Sequence, residues 1–500
     1  MWFQIEWPCS TNTIQSYARL LTSVCALVST AAALTPLEVS GKDFVNSETK
    51  DRFQIIGVDY QPGGSSGFTS KKDPLSDADV CLRDAALMQR LGINTIRVYN
   101  LEPSLNHDKC ASIFNAAGIY MILDVSNPLE GGYLDRSAPW TTYSAIYYKQ
   151  VFGIIEGFKN YDNLLGFFAG NEVINEGATY QAPRYIRAVI RDMKDYIAKN
   201  SKRAIPVGYS AADIRNILMD TIHYFECDLK NSTSSRADFF GLNSYSWCGD
   251  SSYKSAGYDV LTDDFTNATI PVFFSEYGCN EVQPRVFTEV QAIYGEEMTQ
   301  AFSGGLVYEW TQEDNDYGMV KINDSKTLTT LVDYDNFQKQ LNKLDFDRIT
   351  SSNATQANVK AETCETSLIK RKSFYNSWDL PEVPSKVSDY IKNGLPNAPV
   401  GKLVSVTGTT IPQKVYDHTG KEITGVKFEV KSSYNTPSAS STSSSGSGSD
   451  SSSSSDSTSG SGSTSSSSSS TTPNAAAFNG APSLALGGLG GFFMLLASLV

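Results

Sequence analysis

Eight short runs rich in β-branched and aromatic residues recur between Phe53 and Trp310, separated by stretches of helical periodicity, and this alternation restricts the fold more than any other property of the chain. The runs are Phe53–Tyr60, Ile93–Tyr99, Ile119–Val125, Leu164–Glu172, Ala204–Tyr209, Phe239–Tyr245, Pro271–Glu276 and Gly305–Trp310. Between them lie helical patterns such as Val80–Leu91, Ser144–Asn160, Arg184–Asn200 and Val286–Phe302. Strands that alternate with helices form a parallel sheet covered by those helices, and eight such units close on themselves, which predicts an α/β fold, a (β/α)8 TIM barrel. A doubly wound open sheet is the alternative. It calls for a glycine-rich phosphate turn after the first strand, and Pro62-Gly63-Gly64-Ser65-Ser66-Gly67 matches neither dinucleotide nor P-loop spacing. With 40% hydrophobic and 11% aromatic residues the chain can bury the large core that a barrel demands.

In such barrels the chemistry sits where strands end, at their C-terminal rim. The fourth run ends Phe168-Ala169-Gly170-Asn171-Glu172 and the seventh ends Phe273-Phe274-Ser275-Glu276-Tyr277-Gly278, so each presents one glutamate. The two are 104 residues apart, three strand–helix repeats, which places both carboxylates on one rim facing across the barrel mouth. Paired carboxylates are what glycoside cleavage requires: one protonates the departing oxygen while the other attacks the anomeric carbon or activates water. A net charge of −13 argues against nucleic acid or an anionic membrane as the principal partner, and the scattered His107, His223 and His418 suggest no catalytic or ligand cluster.

The two ends read as processing signals. Leu20 to Ala33 is a short apolar segment after Arg19 that finishes in Ala31-Ala32-Ala33, so residues 1–33 are expected to be a secretory signal peptide. The serine-dominated run over 436–473 cannot form a core and reads as a disordered, O-glycosylated stalk. Residues 474–500 combine small residues from Asn474, a spacer, and the uncharged Leu484–Val500, the pattern of a glycosylphosphatidylinositol (GPI) attachment signal with Asn474 as the new C-terminus. A tail-anchored transmembrane helix is the competing reading, weakened by the shortness of that segment, its four glycines and the lack of a flanking Lys or Arg. The expected address is the extracellular face of the cell membrane and the cell wall. Cys81, Cys110, Cys227, Cys248, Cys279 and Cys364 then remain, an even number that reads as three disulfides, with no C-x-x-C spacing to suggest a metal. Asn231, Asn267, Asn323 and Asn353 open N-glycosylation sequons.

Asp59-Tyr60-Gln61-Pro62-Gly63-Gly64, Arg97-Val98-Tyr99, Leu123-Asp124-Val125, Gly170-Asn171-Glu172, Asn243-Ser244-Tyr245-Ser246-Trp247-Cys248-Gly249, Ser275-Glu276-Tyr277-Gly278-Cys279-Asn280 and Tyr308-Glu309-Trp310 together resemble the motif series of the fungal β-1,3-glucanosyltransferases, glycoside hydrolase family 72. The similarity spans about Leu37 to Trp378. It implies a retaining double displacement in which internal β-1,3-glucan bonds are cut and the new reducing end passes to another glucan chain, with GPI anchoring; no cofactor and no metal are expected. Some members carry a cysteine-rich carbohydrate-binding module after the barrel, and with only Cys364 beyond Cys279 this chain lacks it.

The resemblance assigns Glu276 as nucleophile and Glu172 as the acid that later serves as base, roles that the pairing chemistry permits. Asn171 is expected to donate to the substrate 2-hydroxyl, and Tyr245, beside Glu276, to orient the nucleophile. Gln61, Tyr99, Asp124 and Tyr308 end strands and are subsite candidates, while Tyr133, Trp140 and Tyr317 lie on rim segments where aromatic faces can carry sugar rings. Cys248 and Cys279 each follow a rim residue by three positions on neighbouring strands, so they are expected to bond; Cys81 should pair with Cys110, leaving Cys227 for Cys364. The catalytic unit is assigned to 34–378. Residues 379–435, with strand-like pieces at Leu403–Thr407 and Val426–Val430, form an extension that packs under the barrel or makes a small lobe. The expected partners are β-1,3-glucan donor and acceptor chains and the membrane through its lipid, with no nucleic acid, for a monomeric protein. A retaining endo-β-1,3-glucanase and a non-catalytic glucan-binding wall protein are the competing functions.

Overall fold

The computed structural model describes residues 34–175, 179–324, 327–351 and 360–437. The processing signals at 1–33 and 474–500, nearly all of the stalk and the sequon at Asn353 lie outside the described residues. Eight parallel strands form a closed barrel: β1 Ile55–Asp59, β2 Thr95–Val98, β3 Tyr120–Asp124, β4 Leu164–Asn171, β5 Val207–Ala212, β6 Phe240–Asn243, β7 Val272–Tyr277 and β8 Gly304–Val307. Each pairs with its sequence neighbour and β8 returns to β1, Gly304 opposite Ile55 and Val307 opposite Val58. The intervening helices are α1 Ala78–Leu91, α2 Asp108–Ala116, α3 Ala145–Phe158, α4 Ala182–Asn200, α5 Leu218–Glu226, α6 Tyr258–Phe265, α7 Glu289–Ile293 and α8 Val332–Leu341. Local chemistry sets their ends: Asp77 accepts from the Asp79 and Val80 amides at the start of α1, and Gly92 at φ 81° terminates it in the left-handed conformation.

Strand alternation divides the apolar residues into two sets. One, including Val58, Ile96, Met121, Leu123, Phe167 and Phe274, packs outward under the helices. The other, Ile122, Leu165, Phe168, Phe239, Phe273 and Leu306, packs with Leu37, Phe44 and Phe53 of the N-terminal strands at Leu37–Ser40, Asp43–Asn46 and Arg52–Phe53. That short antiparallel sheet closes the floor of the barrel and leaves the opposite mouth for the strand ends.

Four of the expected elements come out differently. The fifth strand starts at Val207 and not Ala204, because Pro206 has no amide to give the ladder and offers its carbonyl to the Phe167 amide (2.9 Å) instead. The helix expected over Val286–Phe302 is only α7 plus a short turn at Met298–Gln300, divided near Gly295, where the Tyr294 hydroxyl reaches the carbonyl of Ile55 at 2.7 Å. Leu403–Thr407 and Val426–Val430 are not strands: the Lys402 and Val404 amides bond to Asp108 Oδ1 and Ser112 Oγ on α2 (both 2.8 Å), side-chain acceptors that take the place of a strand partner. The strand in this region is Lys414–Tyr416, which pairs in parallel with Thr327–Thr330.

The extension packs against the barrel rather than forming a separate lobe. Helix α9, Ser385–Asn393, lies on α4 and α3 with Val387 and Tyr390 buried. Asn435 donates to the carbonyls of Gln89 (3.2 Å) and Ile93 (3.0 Å), and its own amide reaches Gly118 O at 2.8 Å. These partners lie where α1 and α2 turn into their following strands, so the described chain leaves from the closed end of the barrel. Disulfides join Cys81–Cys110, Cys227–Cys364 and Cys248–Cys279. The second spans 137 residues and pins the segment after the barrel to the end of α5. Closing a loop of that length confines the unfolded chain by about 4–5 kcal/mol.

Candidate active site

Both glutamates are aimed by a local irregularity. The β7–β6 ladder slips between Phe274 and Glu276, and the β4–β5 ladder slips between Phe168 and Asn171. A slip of this kind lets successive residues serve one side of a sheet, and here it brings Ser275 and Glu276, and Asn171 and Glu172, into hydrogen bonds of a single network. Glu172 itself stands at φ 47°, outside the strand conformation, just past the last residue of β4.

Glu276 is 7% exposed and held by three donors. Tyr245 OH donates to Oε2 at 2.6 Å, and Tyr99 OH and Arg97 Nη1 donate to Oε1 at 3.0 and 3.2 Å. Arg97 is fully buried, stacked between the rings of Tyr99 (4.3 Å) and Phe168 (4.6 Å). Its Nε and Nη2 grip Asp124 at 2.9 and 3.4 Å, and Nη1 also reaches the Ser275 carbonyl at 3.2 Å. Burial raises the Glu276 carboxyl above the ordinary glutamate range; Arg97 opposes the rise and Glu172 adds to it.

Glu172 is half-buried and among the described residues takes one side-chain hydrogen bond, from Asn243 Nδ2 at 2.8 Å. The same amide donates to Asn171 Oδ1 at 3.1 Å, while Asn243 Oδ1 accepts from Ser275 Oγ (2.7 Å) and Ser210 Oγ (3.1 Å). Asn243 at the end of β6 therefore ties the two glutamate-bearing strands together. Gly241, two residues earlier, keeps room for this: a Cβ there would stand 2.5 Å from Ser275 Oγ.

Around Glu276 four rings meet edge to face. Tyr245 lies 6.2 Å from Tyr308 and 5.5 Å from Tyr317, Tyr308 lies 5.2 Å from Tyr317, and Tyr99 lies 6.4 Å from Tyr308. Gln61 is buried at the end of β1 with neither side-chain polar atom paired among the described residues. Asp124, expected as a subsite residue, has both oxygens engaged by Arg97. Tyr133 and Trp140 stand apart from the ring cluster, 38% and 56% exposed, on the segment between β3 and α3. Arg97 and Asn243 belong to the site although in the sequence they stand out only as members of motifs; a polar residue at or near the end of an otherwise apolar strand is the signal that marks both.

Asn231, Asn267 and Asn323 are exposed. Among the described residues one grouping of potential metal donors is compact, Cys248, Cys279 and Glu281, but its two sulfurs are bonded to each other and are not thiolate ligands. That disulfide braces the segments that follow Tyr245 and Glu276.

A family model described as glucanosyltransferase, glycoside hydrolase 72, matches residues 26–345. The 1,3-beta-glucanosyltransferase gel2 of Aspergillus fumigatus is 67% identical over 428 residues, 85% of this chain and 90% of that one. The probable 1,3-beta-glucanosyltransferase GAS3 of Saccharomyces cerevisiae is 44% identical over 407 residues, 77% and 78% of the two chains. A mutant of Saccharomyces cerevisiae Gas2p solved in complex with laminaritetraose and laminaripentaose matches with a TM-score of 0.62 and 36% identity, over 71% of this chain and 76% of that one. The eight-stranded barrel, its two rim glutamates and these relatives agree: the chain belongs to the glucanosyltransferases of glycoside hydrolase family 72.

Proposed function

We propose that this glucanosyltransferase cuts β-1,3-glucan within the chain and joins the new reducing end to a second β-1,3-glucan, through a covalent intermediate on Glu276. The observation that carries the reading is the anchoring of Glu276: three donors from the ends of two strands, Arg97 of β2, Tyr99 at its end and Tyr245 just past β6, fix a buried carboxylate, while Glu172 stands across the Asn243 link with a lighter hold. In the first step a Glu276 oxygen attacks C1 as the C1–O3 bond breaks, and the departing O3 takes the proton of Glu172. In the second, ionised Glu172 takes the proton of an acceptor 3-hydroxyl, whose oxygen attacks C1 and releases Glu276. One β-1,3 bond is broken and one made, and two inversions leave the anomeric configuration unchanged. Asn171, whose carbonyl oxygen is engaged by Asn243, has its NH2 to offer the 2-hydroxyl of the reacting sugar.

Water competes with the acceptor for the intermediate. Transfer prevails when subsites hold the acceptor hydroxyl in line, since effective molarities of roughly 10⁵–10⁸ M for well-oriented groups exceed the concentration of bulk water. Tyr308 and Tyr317 beside Glu276 supply such a surface, with Gln61, Tyr133 and Trp140 as further sugar contacts. Incubation with a reduced laminari-oligosaccharide should give β-1,3-linked products longer than the starting material. Only shorter fragments, at every substrate concentration, would make the enzyme an endo-β-1,3-glucanase.

We also propose that the protein works at the outer face of the cell membrane and in the wall, held by a lipid at Asn474. The signals at both chain ends support this address. Release from membranes by a phosphatidylinositol-specific phospholipase is the expected result; a mature protein that still contains Leu484–Val500 would contradict it.

A further inference from the structure

Asp59 ends β1 directly beside Arg97 of β2, its partner in the ladder, and is fully buried. Neither of its carboxyl oxygens has a hydrogen-bond partner among the described residues. The Tyr99 hydroxyl that borders it is given to Glu276 Oε1, and four N–H groups of Arg97 already have acceptors in Asp124, Glu276 and the Ser275 carbonyl. Three carboxyl groups, Asp59, Asp124 and Glu276, thus share one guanidinium. Asp124 is gripped through both oxygens and Glu276 through three donors, so these two are equipped to be anions. Asp59 is not: the one hydroxyl within its reach, that of Tyr99, favours its ionised form but is directed to Glu276 Oε1, and a buried carboxylate without a donor of its own carries a desolvation cost that neutralisation removes.

We propose that Asp59 is kept as a neutral carboxylic acid beside the nucleophile, a positioning residue that leaves the charge of Arg97 to Asp124 and Glu276. The proposal rests on the reading of Glu276 as the nucleophile. Its surroundings favour the same state. From β7 it faces Glu276 and Tyr277, from the residues after β8 Tyr308 and Glu309, and from the end of β6 Tyr245; Arg97 on β2 is the single cation among them. Burial, and then the charge of Glu276 working against the pull of Arg97, raise the Asp59 carboxyl well above the ordinary aspartate range. A second anion at this position would oppose ionisation of Glu276, the form the first step consumes. The neutral acid removes that opposition and adds an O–H donor among acceptors.

Isotope-edited infrared spectroscopy tests this on the whole enzyme. With 13C-carboxyl aspartate, the label separates protonated aspartate from Glu309 and the other glutamates. An acid-form aspartate carbonyl band should persist at pH 7 and disappear in Asp59→Asn, or in Asp59→Ser if the first variant does not fold. No acid-form band in the wild type, or a band untouched in the variant, overturns the proposal. The pH dependence gives a second reading, because Asp59→Asn keeps shape and neutrality and should leave the acid limb of kcat/KM in place. If Asp59 were ionised, the substitution would remove a negative neighbour of Glu276 and move that limb down by about 1 pH unit, which also overturns it. An active Glu276→Gln variant would instead refute the nucleophile assignment and leave the infrared result standing.

Discussion

Glu276 and Glu172 end two strands of one barrel and live in opposite circumstances. Glu276 is buried, clamped by Arg97, Tyr99 and Tyr245, and raised above the usual carboxylate range by burial. Glu172 is half-buried, at a positive φ beyond the strand, with a single amide on its carboxylate among the described residues. A nucleophile must present one oxygen on a fixed line to C1 and never needs to move, whereas an acid and base must exchange protons with a leaving group and then with an acceptor. On the proposed assignment, the heavier scaffolding stands around the group that forms the bond, and the lighter around the group that trades protons. The proposed division of labour thus corresponds to unequal support for two identical side chains.

The contrast breaks first at the glutamates themselves. Glu276→Gln should lower turnover of β-1,3-glucan by roughly 10⁴-fold or more, for every substrate, since no other carboxylate stands in its place. Glu172→Gln should lose about 10²–10⁴-fold on glucan but far less in the first step with a laminarioside whose leaving group needs no proton. Equal losses on both substrates would erase the distinction. Next is the link: Asn243→Ala removes the donor shared by Glu172 and Asn171 and the acceptor of Ser275, and should cost about 10²-fold in kcat/KM with the fold retained. A variant as active as wild type would show that the two glutamates need no common anchor.

The smallest effect is electrostatic. Because Glu276 must be ionised to attack, kcat/KM should fall as pH falls through its pKa, and that limb should lie above the roughly 4.3 of an ordinary glutamate. Tyr245 donates to the ionised form, so Tyr245→Phe makes ionisation harder and should carry the limb upward by about 0.5–1 pH unit, with a few-fold loss of rate above it. A downward move would mean that the hydroxyl stabilises the neutral acid.

Much of this architecture was legible before the fold was known, for identifiable reasons. Strands such as Ile119–Val125 and Leu164–Glu172 announce themselves because both faces of a barrel strand are buried, and the two rim glutamates follow from counting repeats. The clamp around Glu276 was only partly readable. Tyr245 lies just past the end of β6, the strand adjacent to β7, so its bond to Glu276 follows from the sequence, whereas position alone makes Tyr99 a sugar-contact candidate and gives Arg97 no role. Their meeting with Glu276 depends on closure of the barrel, which brings β2 within reach of β7 across its interior. Asn243 has the same character: its four partners come from β4, its following residue, β5 and β7. The failed helix over Val286–Phe302 shows the converse, a convincing periodicity divided near Gly295 while Tyr294 is drawn to the β1 carbonyl. Tyr133 and Trp140 are aromatic and on the rim, as read, yet they stand outside the ring cluster because periodicity says nothing about how far a loop carries a side chain from the centre.

The measurement that bears most directly on the unequal glutamates is capture of the intermediate. In a laminari-oligosaccharide with fluorine at C2 of the reacting sugar and a good leaving group, the fluorine slows both steps by destabilising their oxocarbenium-like transition states while the leaving group restores the rate of the first, so the glycosyl-enzyme accumulates. Peptide mapping of the inactivated protein should place the sugar on Glu276, with inactivation relieved by an acceptor glucan. A label on Glu172, or turnover without any covalent adduct, would contradict the account.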